Sequence, residues 1–376
     1  MEPTHRFISV DDHVQEPPDL WTKRLASKWG DRGPRIEAGP DGAERWVVDG
    51  EPLPLTGIAS AGAVMGDRAA PAQHWADVPK AAYLPAERLK AMDVDGVDYS
   101  VLYPTVAGLA GEAFGQVKDP ELERACVQAY NDWLIEEWAS ASPRFIPQCI
   151  LPLDPAAAAT EARRSVAKGH RGVIYPAVPM MIREAPHINE PDYDPIWAAC
   201  QEVGVPVCFH AGASKGIQMP PYQGFSPGLA AAMEALTRPV SSVLLVANFL
   251  FSRILFRFPT LRVVFAESSL SWGAYELELA DHQFERQRLH TEGYELTPSQ
   301  LFKRQCYFTG WFDRAAISTR HHLGLNSIMW SSNFPLATST WPNTRDFIER
   351  CFTGVPEAER DQVLWGNAAK LYGVQE

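Results

Sequence analysis

The chain has 376 residues, 46% of them hydrophobic and 21% charged, which is enough apolar material for a sizeable core and gives no sign of disorder. A net charge of -12 and a pI near 5.4 argue against nucleic acid or an anionic membrane as partner, because both select basic patches. Six cysteines (Cys126, Cys149, Cys200, Cys208, Cys306, Cys351) lie far apart with no CxxC pair. No basic region followed by an apolar run opens the chain and no run of about 18 apolar residues occurs, so the expectation is a soluble, reduced, cytoplasmic protein.

A β-prone run over 7–10 leads into Asp11-Asp12-His13, then Glu16 and the break at Pro17-Pro18. Alternate strand residues share a face, so Asp11 and His13 point one way and Asp12 the other. An oxygen and a nitrogen ligand side by side suit Zn²⁺ or a similar divalent ion if further ligands arrive from elsewhere; a polar strand-end turn would read the same. Residues 19–84 are rich in Gly, Pro, Ala and charge, with one hairpin turning at Asp49-Gly50 between 45–48 and 51–53. A segment of this length after a strand carrying polar candidates is expected to be a lid inserted into the domain.

From residue 85 the pattern becomes regular. A helix over 85–94 precedes a strand over 98–104; a long helix over 120–140 leads to a strand over 146–151. An Ala-rich helix over 154–168 comes before a strand over 172–175, and a helix over 193–203 before a strand over 205–210. A long Gly/Pro-containing loop, 211–227, is a second expected lid. Helical segments run on to 256, followed by a strand over 262–267, a helix over 271–289, and strands over 305–309 and 327–331. Eight strands alternating with helices, most apolar on both faces, belong to a parallel sheet covered by helices. Eight such units favour a single α/β domain over 1–376, a closed (β/α)8 TIM barrel with the insertion after strand 1; no GxGxxG follows the first strand.

Such barrels carry their chemistry at the carboxyl ends of the strands, where Asp11, His13, His210, Glu267 and Asn333 fall. His210 could equally be a capped strand-end histidine. Glu267 could be a structural carboxylate or, in a dry pocket, an acid with a raised pKa. Glu16 reads as a loop anchor or a substrate contact; Tyr103, Tyr175, Trp272 and Trp341 read as an aromatic substrate pocket or as core packing. His321-His322, near the end of a polar helix, reads as solvated surface.

Several stretches in this order carry a resemblance: Asp11-Asp12-His13 through Glu16-Pro17, Arg88 to Asp93, Leu102-Tyr103-Pro104-Thr105, Tyr130-Asn131-Asp132-Trp133, Pro206 to His210, Glu267 with Trp272, Trp330-Ser331-Ser332-Asn333-Phe334-Pro335 and Gly366 to Tyr372. Together they resemble the amidohydrolase superfamily, in the branch of aminocarboxymuconate-semialdehyde decarboxylase and the resorcylate decarboxylases. The resemblance implies a TIM barrel holding one divalent metal, Zn or Mn, on Asp11, His13, His210 and Asn333. It implies a lyase that decarboxylates an aromatic or unsaturated acid without an oxidant; Asp11, His13, His210 and Glu267 are the candidate catalytic groups, and without a metal they become an acid/base set. One position departs from the family pattern, which usually has Asp followed by Phe/Tyr-Pro-His, whereas this chain has Asn333-Phe334-Pro335-Leu336. A neutral amide offers a carbonyl oxygen but cannot serve as a base. A metal-dependent hydrolase and a metal-free lyase or cyclase therefore stay open as alternatives, and the expected partners are a small-molecule substrate and a second copy of the chain in a homodimer.

Overall fold

Eight of the apolar runs form one parallel sheet hydrogen-bonded in chain order, in a computed structural model that describes residues 5–53, 72–212 and 223–375. The strands are β1 (Ile8–His13), β2 (Tyr99–Tyr103), β3 (Phe145–Ile150), β4 (Gly172–Ile174), β5 (Val207–His210), β6 (Val263–Ala266), β7 (Cys306–Gly310) and β8 (Ile328–Trp330). The ring closes between β8 and β1: the His13 N–H donates to the Phe334 carbonyl at 2.7 Å, and the Ser332 N–H donates to the Ser9 hydroxyl at 2.8 Å. This is the TIM barrel read from the alternation of strands and helices.

The helices begin and end on local signals. Pro120 and Pro155 stand in first turns whose caps, Asp119 and Asp154, accept backbone N–H groups, and the left-handed Gly96 and Gly204 terminate two others. The expected helix over 120–140 is Pro120–Trp133 continued by a π-helical turn, Leu134–Ala139.

The hairpin at Asp49-Gly50 forms, and it carries a third strand, Arg35–Ala38, that the sequence did not suggest. Helix α1 (Asp19–Trp29) was also missed, because it is held by tertiary contacts of one residue rather than by a long apolar stripe. Trp21 donates its indole N–H to the Cys126 carbonyl and packs edge-on against Trp46 and Phe114. The segment after β1 therefore packs on both the loop and the helix that follow β2. Both lid expectations run partly through residues 54–71 and 213–222, which lie outside the described residues.

Among the described residues one helical segment, Gly228–Phe251, is long and apolar enough by composition to cross a membrane. It comprises α2 (Pro227–Thr237) and α3 (Val240–Phe251), joined at Arg238-Pro239. Val246, Phe249 and Leu250 of α3 are buried in the barrel core, while Leu229, Leu236 and Leu244 are exposed. The Arg238 guanidinium between the two helices is tied to Glu267 beyond β6.

Candidate active site

β1 carries a register shift between Ser9 and Asp12 and delivers its two carboxylates to different places. Asp12 accepts from the hydroxyls of Ser9, Ser100 and Ser332 and from the Phe334 N–H, at 2.6–3.0 Å, which staples β1 to β2 and β8. Asp11 is fully buried and neither of its oxygens receives a hydrogen bond; it lies 3.4 Å from the Nε2 atoms of both His13 and His210.

The opposite nitrogen of each imidazole faces a backbone carbonyl: His13 Nδ1 lies 3.0 Å from the Pro104 oxygen and His210 Nδ1 2.6 Å from the Ala211 oxygen. A carbonyl only accepts, so Nδ1 carries the hydrogen in both rings and each neutral ring presents an Nε2 lone pair. Those Nε2 atoms are 3.2 Å apart. Two lone pairs and a carboxylate meeting in a dry site repel unless something positive stands among them. Burial alone would depress the His210 pKa, but Asp11 and then Glu267 pull it up to about 9. Burial alone would raise that of Asp11, but the imidazoles of His210 and His13 hold it well below the carboxylate range.

A divalent ion fits the same three atoms. Donors about 2.1 Å from a common ion, at angles between octahedral and tetrahedral, stand about 3.0–3.4 Å apart, and the observed separations are 3.2, 3.4 and 3.4 Å. Tyr103 lies beneath, its ring centroid 5.8 Å from that of His13 and 5.4 Å from that of His210.

Glu267 and Asn333 build the other half of the mouth, both with non-glycine backbones in the left-handed region, at φ 49° and 58°. Glu267 Oε1 accepts from Arg238 Nη1 at 2.6 Å, Asn333 Nδ2 at 3.0 Å and the Thr338 hydroxyl at 3.3 Å. Its Oε2 is buried without a donor, 3.7 Å from His210 Nδ1. Asn333 Nδ2 also donates to Thr338 Oγ1 at 2.7 Å, and Asn333 Oδ1 is buried with no donor. A cavity of about 200 Å³ opens onto Glu267, walled by Arg238, Thr338, Leu236, Trp311 and Phe312.

Four sequence assignments need correction. Glu16 is not a substrate contact: it is fully buried, accepts the N–H groups of Thr105 and Val106, and burial pushes its carboxyl up to about 7. It anchors the turn whose Pro104 carbonyl holds His13. Tyr175 is core; its hydroxyl donates to the Leu153 carbonyl and its ring packs against Tyr193 and Trp197. Trp272 packs edge-on against Phe308 and donates to the Ser268 carbonyl, and Trp341 packs on Phe334 and donates to the Ala91 carbonyl. In each case packing consumes the ring face and the polar tip, the commoner fate of a large aromatic. His321 and His322 are exposed, with His321 3.5 Å from Glu359. Arg238, Thr338, Trp311 and Phe312 were missed. The signal available was Arg238 itself, the one cation in the stretch 227–251.

A family model described as amidohydrolase matches residues 48–374, a span that begins after β1. The chain is 24% identical over 306 residues to a gamma-resorcylate decarboxylase of Polaromonas sp., covering 76% of this chain and 86% of that protein. Its fold matches an amidohydrolase from Mycobacterium avium subsp. paratuberculosis with a TM-score of 0.79 at 20% identity, over 99% of this chain and 100% of the other. It also matches a dihydroxybenzoic acid decarboxylase from Polaromonas sp., solved with bound manganese and the inhibitor 2-nitroresorcinol, with a TM-score of 0.67 at 18% identity over 99% and 98% of the two chains.

Proposed function

Since the chain belongs to the amidohydrolase family, we propose that it is a metal-dependent lyase that removes the carboxyl group of a small aromatic or unsaturated acid. Asp11, His13 and His210 would hold the ion, and Asn333 would offer a neutral oxygen. The ion would act as a Lewis acid that orients the acid and accepts developing negative charge. One carboxylate and two imidazoles suit manganese and zinc alike. The manganese bound by the dihydroxybenzoic acid decarboxylase favours the first.

The observation that carries a lyase rather than a hydrolase is the neutral amide at Asn333, whose Nδ2 is bonded to Glu267 and Thr338. Hydrolysis requires a base beside the attacking water. An amide cannot serve, Asp11 faces two imidazoles, and Glu267 accepts a guanidinium. Loss of carbon dioxide needs no such base; the carbon that carried the carboxyl instead takes up a proton, which the amide of Asn333 cannot give and which on this reading comes from the substrate's own hydroxyl or from water. The cavity of about 200 Å³ is smaller than a drug-sized pocket and suits a single ring, with Trp311 and Phe312 for the ring face; its wall includes Glu267 but none of the three proposed ion ligands, and the Arg238 on it is already paired with Glu267. Six free, buried cysteines suit a reducing compartment such as the cytoplasm, and the exposed Leu229, Leu236 and Leu244 suit a homo-oligomer.

The test is carbon dioxide release from single-ring hydroxybenzoates by manganese-loaded protein. Release that stops on chelation and returns with manganese is the expected result. Ester or amide hydrolysis without any decarboxylation would overturn the reading in favour of a hydrolase.

A further inference from the structure

We infer that Glu267 is a positioning residue that decides which end of the Asn333 side-chain amide is free to bind the ion. The inference rests on the metal-dependent reading above and adds to it a function for the second half of the barrel mouth.

An amide has a donor end and an acceptor end of nearly the same size, so its orientation is decided by its neighbours. Asn333 Nδ2 donates to Glu267 Oε1 at 3.0 Å and to Thr338 Oγ1 at 2.7 Å. Turning the amide over would set its carbonyl oxygen 3.0 Å from a carboxylate oxygen with no hydrogen between them. The carboxylate cannot swing aside, because Arg238 Nη1 holds the same Oε1 at 2.6 Å and the Thr338 hydroxyl donates to it at 3.3 Å. Thr338 thus accepts from the amide and donates to the carboxylate, closing a three-membered ring of hydrogen bonds. Both backbones are held in the left-handed region, which leaves the two side chains little freedom to approach differently. The result is an Asn333 Oδ1 that is buried and without a donor, which leaves it free to accept and, on the metal-dependent reading, to face the ion.

The arrangement has a consequence for charge. With Asp11 as the single anionic ligand beside two neutral imidazoles and a neutral amide, a bound divalent ion retains net positive charge. An anionic substrate oxygen completes the balance. The carboxylate of Glu267 is kept one step outside, neutralised by Arg238.

Glu267 could instead act directly on the ion or on His210, whose Nδ1 is 3.7 Å from Oε2. Manganese(II) titration of the metal-stripped full chain, followed by the paramagnetic resonance of the free ion, separates the two. If Glu267 orients the amide, E267M, which fills the same space with no acceptor, weakens manganese binding by about tenfold or more, in the range of outer-shell substitutions, whereas E267Q, which keeps an oxygen for the amide, weakens it less. T338V, which removes an amide acceptor without touching a charge, weakens it in the same direction as E267M but less. In the N333D background the effect of E267M is lost or reversed. A carboxylate has no wrong end, and Glu267 is then a like charge about 3 Å away, so its removal strengthens binding or leaves it unchanged. Equal weakening by E267M in both backgrounds, or no weakening by either E267M or T338V in the wild-type background, would overturn the positioning role and leave the metal reading intact. A wild-type chain that binds no manganese would overturn both.

Discussion

The two halves of the barrel mouth hold their polar atoms by different means. On the β1 and β5 side, each imidazole is fixed by a backbone carbonyl, Pro104 for His13 and Ala211 for His210. On the β6 and β8 side, Asn333 is fixed by side chains, Glu267 and Thr338, with Arg238 behind them. A tautomer set by the main chain survives most substitutions around it, whereas an orientation set by side chains can be changed one residue at a time. The first half therefore holds its imidazoles firmly, and the second is where, on the proposed reading, the charge of the site can be tuned.

Asp12 ties the two halves together, since it takes hydroxyls from Ser9 and Ser100 on one side and Ser332 and the Phe334 N–H on the other. Asp12→Ala should have the largest effect on the comparison, lowering unfolding stability by about 4 kcal/mol because four donors lose a buried charged acceptor. Urea unfolding measures it; a loss below about 1 kcal/mol would mean that the halves are joined by packing and by the His13–Phe334 and Ser332–Ser9 bonds, without need of Asp12.

A smaller effect tests the support of the first half. Burial raises the Glu16 carboxyl from 4.5 to about 7 in the folded chain, so its contribution is fully present below pH 4.5 and disappears as pH rises through 7. The difference between the two ends of that window is on the order of 3 kcal/mol. Glu16→Gln should remove this part of the slope. Parallel stability curves for wild type and variant between those pH values would show that the turn beneath His13 does not depend on the ionisation of Glu16.

The same contrast explains what the sequence disclosed. The barrel was legible because β3, β5 and β6 are apolar on both faces, and Asp11, His13 and His210 because a polar group at the end of such a strand has few other places to go. The substitution at Asn333 was visible as a departure from a pattern. Its orientation was not, because that depends on Thr338 five residues on and on Arg238, which reaches Glu267 from the end of a helix 29 residues earlier. Tyr175, Trp272 and Trp341 stayed open between pocket and core for a related reason: residue type says that a large aromatic will be buried, but not whether it faces the cavity or the packing behind it.

The central claim is that Asp11, His13 and His210 hold a divalent ion, and elemental analysis of protein purified without chelator tests it most directly. The account predicts about one equivalent of a divalent transition metal per chain, lost in His210→Ala because only two strong ligands then remain. Less than about a tenth of an equivalent after supplementation with manganese or zinc, with activity that survives chelation, would contradict it.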